Sequence, residues 1–161
     1  MKEIAKKPQP PPRDLSKLIR LLYVEDEDIN WEVSALNLSS RYSLTRAKTA
    51  EEAFSILRTD KFHAIMMDIQ LANSALDGLA MTRILKGKES VVKIPPFAQG
   101  IQARDMPIIV VTAYSARYPR DEILSYGADE LITKPINFTH LALSLSRCLT
   151  KQVTHSLAGA E

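Results

Sequence analysis

Five short apolar runs recur along this chain, and their spacing constrains the fold more than any other feature. LIRLLYV covers residues 18–24, SLTRA 43–47, HAIMM 63–67, IIVVT 108–112 and ELIT 130–133. Short, near-continuous apolar runs are the pattern of strands buried on both faces, and strands alternating with helices build a parallel sheet. The chain therefore reads as α/β: a (βα)5, doubly wound, five-stranded parallel sheet with right-handed crossovers.

The intervening stretches read as helices. From about Asp28 to Ser39, Ile29, Val33, Leu36 and Asn37 mark a helix face, with Trp31 near its start. Thr49 caps a second helix, and Glu52 three residues on completes a capping box. That helix carries Ala53, Phe54, Ile56 and Leu57 inward. After a loop ending at Asp77-Gly78, Leu79, Met81, Ile84 and Leu85 define a third helix running to about Lys88. Pro119 suits the first turn of a fourth, and Gly127 its end. Asn137 caps the last helix, which bears Leu141, Leu143, Leu145 and Leu149. Residues 89–106 hold Pro95-Pro96 and Gly100 and show no period. They read as an irregular insertion with a helical turn in FAQGIQA.

Length and composition narrow the function. At 161 residues the chain fits one domain, 18–149, between a basic, Pro-rich flexible arm (1–17) and a short tail (150–161). No apolar run approaches the roughly 18 residues of a membrane span. The start, MKEIAKKPQPPPRD, lacks the apolar core of a secretory signal, so a cytoplasmic location is the default. A single cysteine, Cys148, excludes an internal disulfide and a cysteine-cluster metal site. The net charge of +2 is too small to argue for nucleic acid, and its surplus sits in the first 20 residues. There is no GxGxxG or P-loop pattern, no HExxH, and no GxSxG around any serine.

Parallel strands point the same way, so their C-terminal ends share one edge, where ligands of open α/β sheets bind. Glu25 and Asp26 follow the first run there, Asp68 the third, Thr112 ends the fourth, and Lys134-Pro135 follow the fifth. Each has a plainer reading alone. Acidic residues open loops and helices, which is the reading for Glu27 and Asp28. A strand-end aspartate caps turns, threonine is a common strand residue, and lysines are common on surfaces. Together, three carboxylates, a hydroxyl and an ammonium suit a divalent cation and a phosphoryl group. Adjacent Glu25 and Asp26 need a positive neighbour. Mg2+ takes oxygen ligands, through one or two carboxylates plus phosphate oxygens. Asp68, after four apolar residues, is partly desolvated and can attack phosphorus to form an acyl phosphate. Mg2+ and a lysine neutralise the charge of the transferring group. The Lys134–Pro135 bond, in a tight strand-to-helix turn, can be cis.

The segments LLYVEDEDIN, MMDIQ, LDG, PIIVVTAY and GADELITKPI, in this order, resemble the receiver domain of two-component response regulators. The likeness spans about residues 18–149, and EDEDIN is most similar to receivers of hybrid sensor kinases or stand-alone regulators. It implies a flavodoxin-like receiver fold. It also implies that Asp68 accepts a phosphoryl group from a histidine kinase or a histidine phosphotransfer protein. Glu25 (through water), Asp26, Asp68 and the backbone carbonyl of Gln70 would hold Mg2+. Thr112 and Lys134 resemble the switch hydroxyl and the phosphate-binding lysine, and Ala113 leaves room for the phosphoryl group. By this likeness the chain is a signalling domain limited to self-phosphotransfer and autodephosphorylation. It signals through its fourth-helix and fifth-strand surface to a downstream protein, as a monomer or a phosphorylation-dependent dimer.

The chain departs from the family pattern in places. Asp77 lies nine residues after Asp68, Leu71-Ala72 stand where a Met-Pro pair is usual, and Leu131 replaces the aromatic switch residue. Tyr114 is a candidate for part of that aromatic role. These departures keep a second reading open, a pseudo-receiver that serves only as a protein-interaction module. A third reading, an aspartate-nucleophile phosphohydrolase, needs a general acid two residues past Asp68. Gln70 cannot do that work. The tail is too short for an output domain, so output comes from binding another protein or from segments outside this sequence.

Overall fold

A computed structural model describes residues 18–88, 93–113 and 116–158, with side chains as far as 152. Strands β1 (Ile19–Val24), β2 (Tyr42–Ala47), β3 (Ala64–Asp68), β4 (Ile108–Thr112) and β5 (Glu130–Thr133) alternate with five helices. These are α1 (Asp28–Leu38), α2 (Ala50–Thr59), α3 (Gly78–Leu85), α4 (Arg120–Ser125) and α5 (Phe138–Ala158). All strand pairs are parallel, in the order β2-β1-β3-β4-β5. The order reverses between β1 and β3, which makes a crevice above those two strand ends.

Period-two alternation along the strands supplies two cores. Leu22, Val24, Ile65, Met67, Ile108 and Val110 face α2, α3 and α4, packing with Phe54, Met81, Leu85 and Ile123. Leu21, Tyr23, Met66, Ile109, Val111 and Ile132 face α1 and α5, packing with Leu38, Leu141 and Leu145. Strands β1, β3 and β4 are thus covered on both faces, which explains their unbroken apolar runs.

Local signals mostly act as expected. Thr49 accepts the Glu52 amide at 3.2 Å, and Asn137 accepts the His140 amide at 3.0 Å. Glu52 completes its cap one residue early, on the Lys48 amide rather than that of Thr49. Gly127 follows α4 with φ 108°, a conformation other residues rarely adopt. Pro119 precedes the first helical residue instead of occupying it. The third helix ends at Leu85, before Lys88, and α5 runs on to Ala158, past the boundary expected at 149. Within the insertion, residues 93–106 are described. A 3-10 turn at Pro96–Ala98 begins one residue before FAQGIQA and overlaps its first two residues, and Ile94, Phe97, Ile101 and Met106 pack onto the α2–α3 side of the core. The arm, residues 89–92 and Tyr114 lie outside the described residues.

Two helices carry apolar residues outward. On α1 the apolar face marked by periodicity points to solvent: Ile29 is 75%, Val33 47% and Leu36 84% exposed, with Asn37 also outward. Ser34 and Leu38 are buried in their place. On α5, Leu143 is 60% exposed while Ser144 is buried.

Gly78 sets the approach of α3 to β3. A Cβ built there would lie 1.9 Å from the Asp68 carbonyl oxygen and 2.9 Å from the Met67 side chain. The Gly78 amide also donates to the Ile69 carbonyl at 2.8 Å. Gly78→Ala is therefore expected to cost about 1–3 kcal/mol, as overpacking does, measured as a lower urea midpoint with an unchanged slope.

Candidate functional site

The C-terminal ends of β1, β3, β4 and β5 bring the expected residues to one edge. Glu25 directly follows β1 and is fully buried, Asp68 closes β3 at 7% exposure, and Thr112 closes β4, buried. Lys134 follows β5, and its amide donates to the Thr112 carbonyl at 2.8 Å. The Lys134 ammonium spans the cleft, 2.9 Å from Glu25 Oε2 and 3.1 Å from Asp68 Oδ2. The Lys134–Pro135 bond is cis. Carboxylate oxygens of Glu25, Asp26 and Asp68 lie within 4.8 Å of one another. Gln70 is exposed at the head of the β3–α3 loop.

Charge in this cleft is unbalanced. Burial pushes the Asp68 carboxyl up to about 7, and Lys134 only partly offsets it while Glu25 adds to it. Burial opposes the Lys134 ammonium, but the Glu25 and Asp68 carboxylates outweigh it and raise its pKa. One ammonium faces three carboxylates, which leaves a negative pocket of hard oxygen donors. That donor set fits a divalent cation such as Mg2+.

Residues that sequence reasoning missed complete the setting. Asn30 donates to Glu25 Oε1 at 3.1 Å and to Glu27 Oε2 at 3.0 Å. Arg46 of β2 donates to the carbonyls of Glu25 (2.9 Å) and Asp26 (3.1 Å) and to Asp28 Oδ1 (2.7 Å). Its guanidinium lies 5.7 Å from the ring centre of Trp31. The Ala72 amide donates to Asp26 Oδ2 at 3.0 Å. Tyr23, two residues before Glu25, is fully buried. Burial, then the charges of Glu25 and Asp68, raise the pKa of that phenol. Only Asn30 carried a local signal, its place in EDEDIN; Arg46 and Ala72 reach the site through tertiary contacts that no spacing announces.

The family model "Response regulator receiver domain" matches residues 21–146. The chain belongs to the response regulator receiver domain family. Among relatives of this receiver domain, response regulator mcs4 of Schizosaccharomyces pombe is 31% identical over 138 residues, covering 76% of this chain and 26% of that protein. Response regulator SSK1 of Arthrobotrys oligospora is 30% identical over 142 residues, covering 76% and 13%. The polar-differentiation response regulator DivK of Brucella ovis is 30% identical over 118 residues, covering 73% and 85%. The chain thus spans a small part of the longer fungal regulators and most of DivK's length. Among solved structures, a CheY-like receiver domain protein of Methanospirillum hungatei has TM-score 0.67 at 24% identity, covering 86% of this chain and 99% of that one. The receiver domain of sensor histidine kinase PA1611 from Pseudomonas aeruginosa, crystallised with a magnesium ion in its active site cleft, has TM-score 0.66 at 27% identity, covering 83% and 98%. The receiver fold read from the sequence is therefore the one observed. Among the described residues, no helix is long and apolar enough to cross a membrane.

The raised Asp68 pKa has a testable sign. Folding holds the Asp68 proton more tightly than the unfolded chain, whose carboxyl titrates near 3.8. The stability this contributes is present below that value and is lost as pH rises through about 7. Without divalent cations, Asp68→Asn should melt roughly 2–6 °C above wild type at pH 8. The gap should narrow on lowering the pH to 5, as followed by circular dichroism.

Proposed function

We propose that Asp68 is the phosphoacceptor of a signalling receiver domain. An Asp68 carboxylate oxygen attacks the phosphorus of a phosphohistidine on a kinase or phosphotransfer protein. The new O–P bond replaces the N–P bond, and the imidazole leaves with the electron pair. The observation that carries this reading is the Lys134 ammonium held 3.1 Å from a nearly buried Asp68, beside Glu25 and Asp26. Glu25, Asp26 and Asp68, with the Gln70 carbonyl, would hold Mg2+, which neutralises charge on the transferring phosphoryl group. The magnesium reported in the PA1611 receiver supports this assignment by likeness. Lys134 and Thr112 then bind the phosphoryl oxygens.

The surface supports a protein donor. Ile29, Val33 and Leu36 form an exposed apolar stripe on α1, at the spacing by which one helix packs on another. Beside the stripe, a cavity of about 230 Å3 is lined by Val33, Ser34, Lys134, Pro135 and Phe138. A helical donor lying there would bring its histidine to the cleft. The phosphoryl charge then biases two arrangements of the α4–β5 face, by as much as the favoured one binds it better. Leu131 lacks the aromatic ring usual in that relay and packs onto the α2–α3 core.

Acetyl phosphate with Mg2+ tests the chemistry without the partner. Wild type should take up one phosphoryl group, resolved by intact-protein mass. Asp68→Asn should take up none, and Lys134→Ala should label about 10²–10³-fold more slowly. Undiminished labelling of Asp68→Asn rules out the assignment.

A further inference from the structure

The β3–α3 loop places Asp77 nine residues after Asp68, and its middle is stitched to two other elements. The Ala72 amide donates to Asp26 Oδ2 at 3.0 Å. Asn73 follows with φ 56°, a left-handed conformation that asparagine tolerates. This turns the chain towards the start of α2. There Ser74 Oγ accepts the Ala50 amide at 2.9 Å and donates to the Leu76 carbonyl at 2.7 Å. The Ala75 amide donates to Glu51 Oε1 at 3.0 Å. Thr49 already caps α2 through the Glu52 amide, so Ser74 and Glu51 serve the loop as well as the helix. The amide that grips Asp26 is thereby fixed from the α2 side.

A carboxylate has two oxygens. On Asp26 one is taken by Ala72, which sets the direction in which the other is offered. Hydrogen bonds of this kind orient metal ligands and tune the ion they accept. Mg2+ demands near-ideal octahedral geometry, whereas Ca2+ tolerates more ligands and looser angles. A fixed carboxylate favours the stricter ion, and a mobile one loses that preference.

We propose that Ser74 and Glu51 are positioning residues: by clamping the β3–α3 loop to α2 they hold Asp26 in the orientation that favours Mg2+ over Ca2+. This rests on the cation-site reading above. Neither residue touches the ion; both act through the Ala72 amide.

The test is calorimetric titration of the whole chain with Mg2+ alone and with Ca2+ alone. Ser74→Ala and Glu51→Ala should each raise the Mg2+ Kd about tenfold, the low end for losing a partner of a metal ligand. The Ca2+ Kd should move less than about twofold, because its site tolerates displacement. Ser74→Thr and Glu51→Gln keep an acceptor oxygen and should retain wild-type discrimination. A merely structural role would weaken both ions alike or neither, and either result overturns the inference. If Ser74→Ala fails to fold, Glu51→Ala and its Gln rescue decide the matter alone. Intact wild-type Mg2+ binding with unchanged discrimination in the variants overturns this inference only. Absence of Mg2+ binding by wild type, unaltered in Asp26→Asn, overturns the cation reading and this inference with it.

Discussion

One ammonium set between two buried carboxylates is the interaction on which the rest of the structure turns. Glu25 and Lys134 are 109 positions apart in the chain, yet their side chains meet at 2.9 Å. Burying a carboxylate costs several kcal/mol unless it is paired and hydrogen-bonded. Lys134 and Asn30 together supply what Glu25 needs. They do not supply enough for Asp68 and Asp26 as well. The pocket is left short of positive charge, and its oxygen donors from Glu25, Asp26 and Asp68 could hold a metal ion.

The sheet makes that arrangement reachable. Strand β5 is not a neighbour of β1; β3 and β4 lie between them. Lys134 can reach Glu25 because all strands run parallel, so every C-terminal end lies on the same edge. Pairing of Val24 with Met67, and of Asp68 with Val111, fixes how far each end projects. A one-residue slip would turn Asp68 to the opposite face of the sheet. The two apolar cores that prevent slippage are therefore part of the site. So is Gly78, whose missing side chain lets α3 seat against the carbonyl of Asp68.

Much of this was legible in the amino-acid order, for a physical reason. Strands covered on both faces must be apolar throughout, so IIVVT and AIMM announce themselves, and the polar residues that end them stand out. Helix faces were less legible. Ile29, Val33 and Leu36 have correct helical spacing, but periodicity does not say which way a stripe points. Here the buried side of α1 is made by Ser34, Leu38 and part of Trp31. Residues that act through tertiary hydrogen bonds were illegible. Arg46 looks like an ordinary charged residue on an edge strand, and Ser74 like a loop serine. Their roles exist only once β2 lies beside β1 and the β3–α3 loop lies over α2.

The outward apolar face of α1 is informative because three of its apolar residues point to solvent, where α5 shows a single such exchange, Leu143 for Ser144. Natural sequences tend to violate local patterning where function requires it. A helix with leucine and isoleucine in water and serine in the core forgoes apolar burial that a simple exchange would recover. Its exposed stripe is also not isolated from the acidic turn. Trp31, on the same helix, packs beside Tyr23 with ring centres 6.3 Å apart and planes tilted by 46°, and the Arg46 guanidinium lies over it. Arg46 in turn holds the backbone carbonyls of Glu25 and Asp26. Any movement of that turn must carry Arg46 with it or break those bonds. The helix that carries the exposed stripe is thus joined, through Trp31 and Arg46, to the turn that carries Glu25 and Asp26.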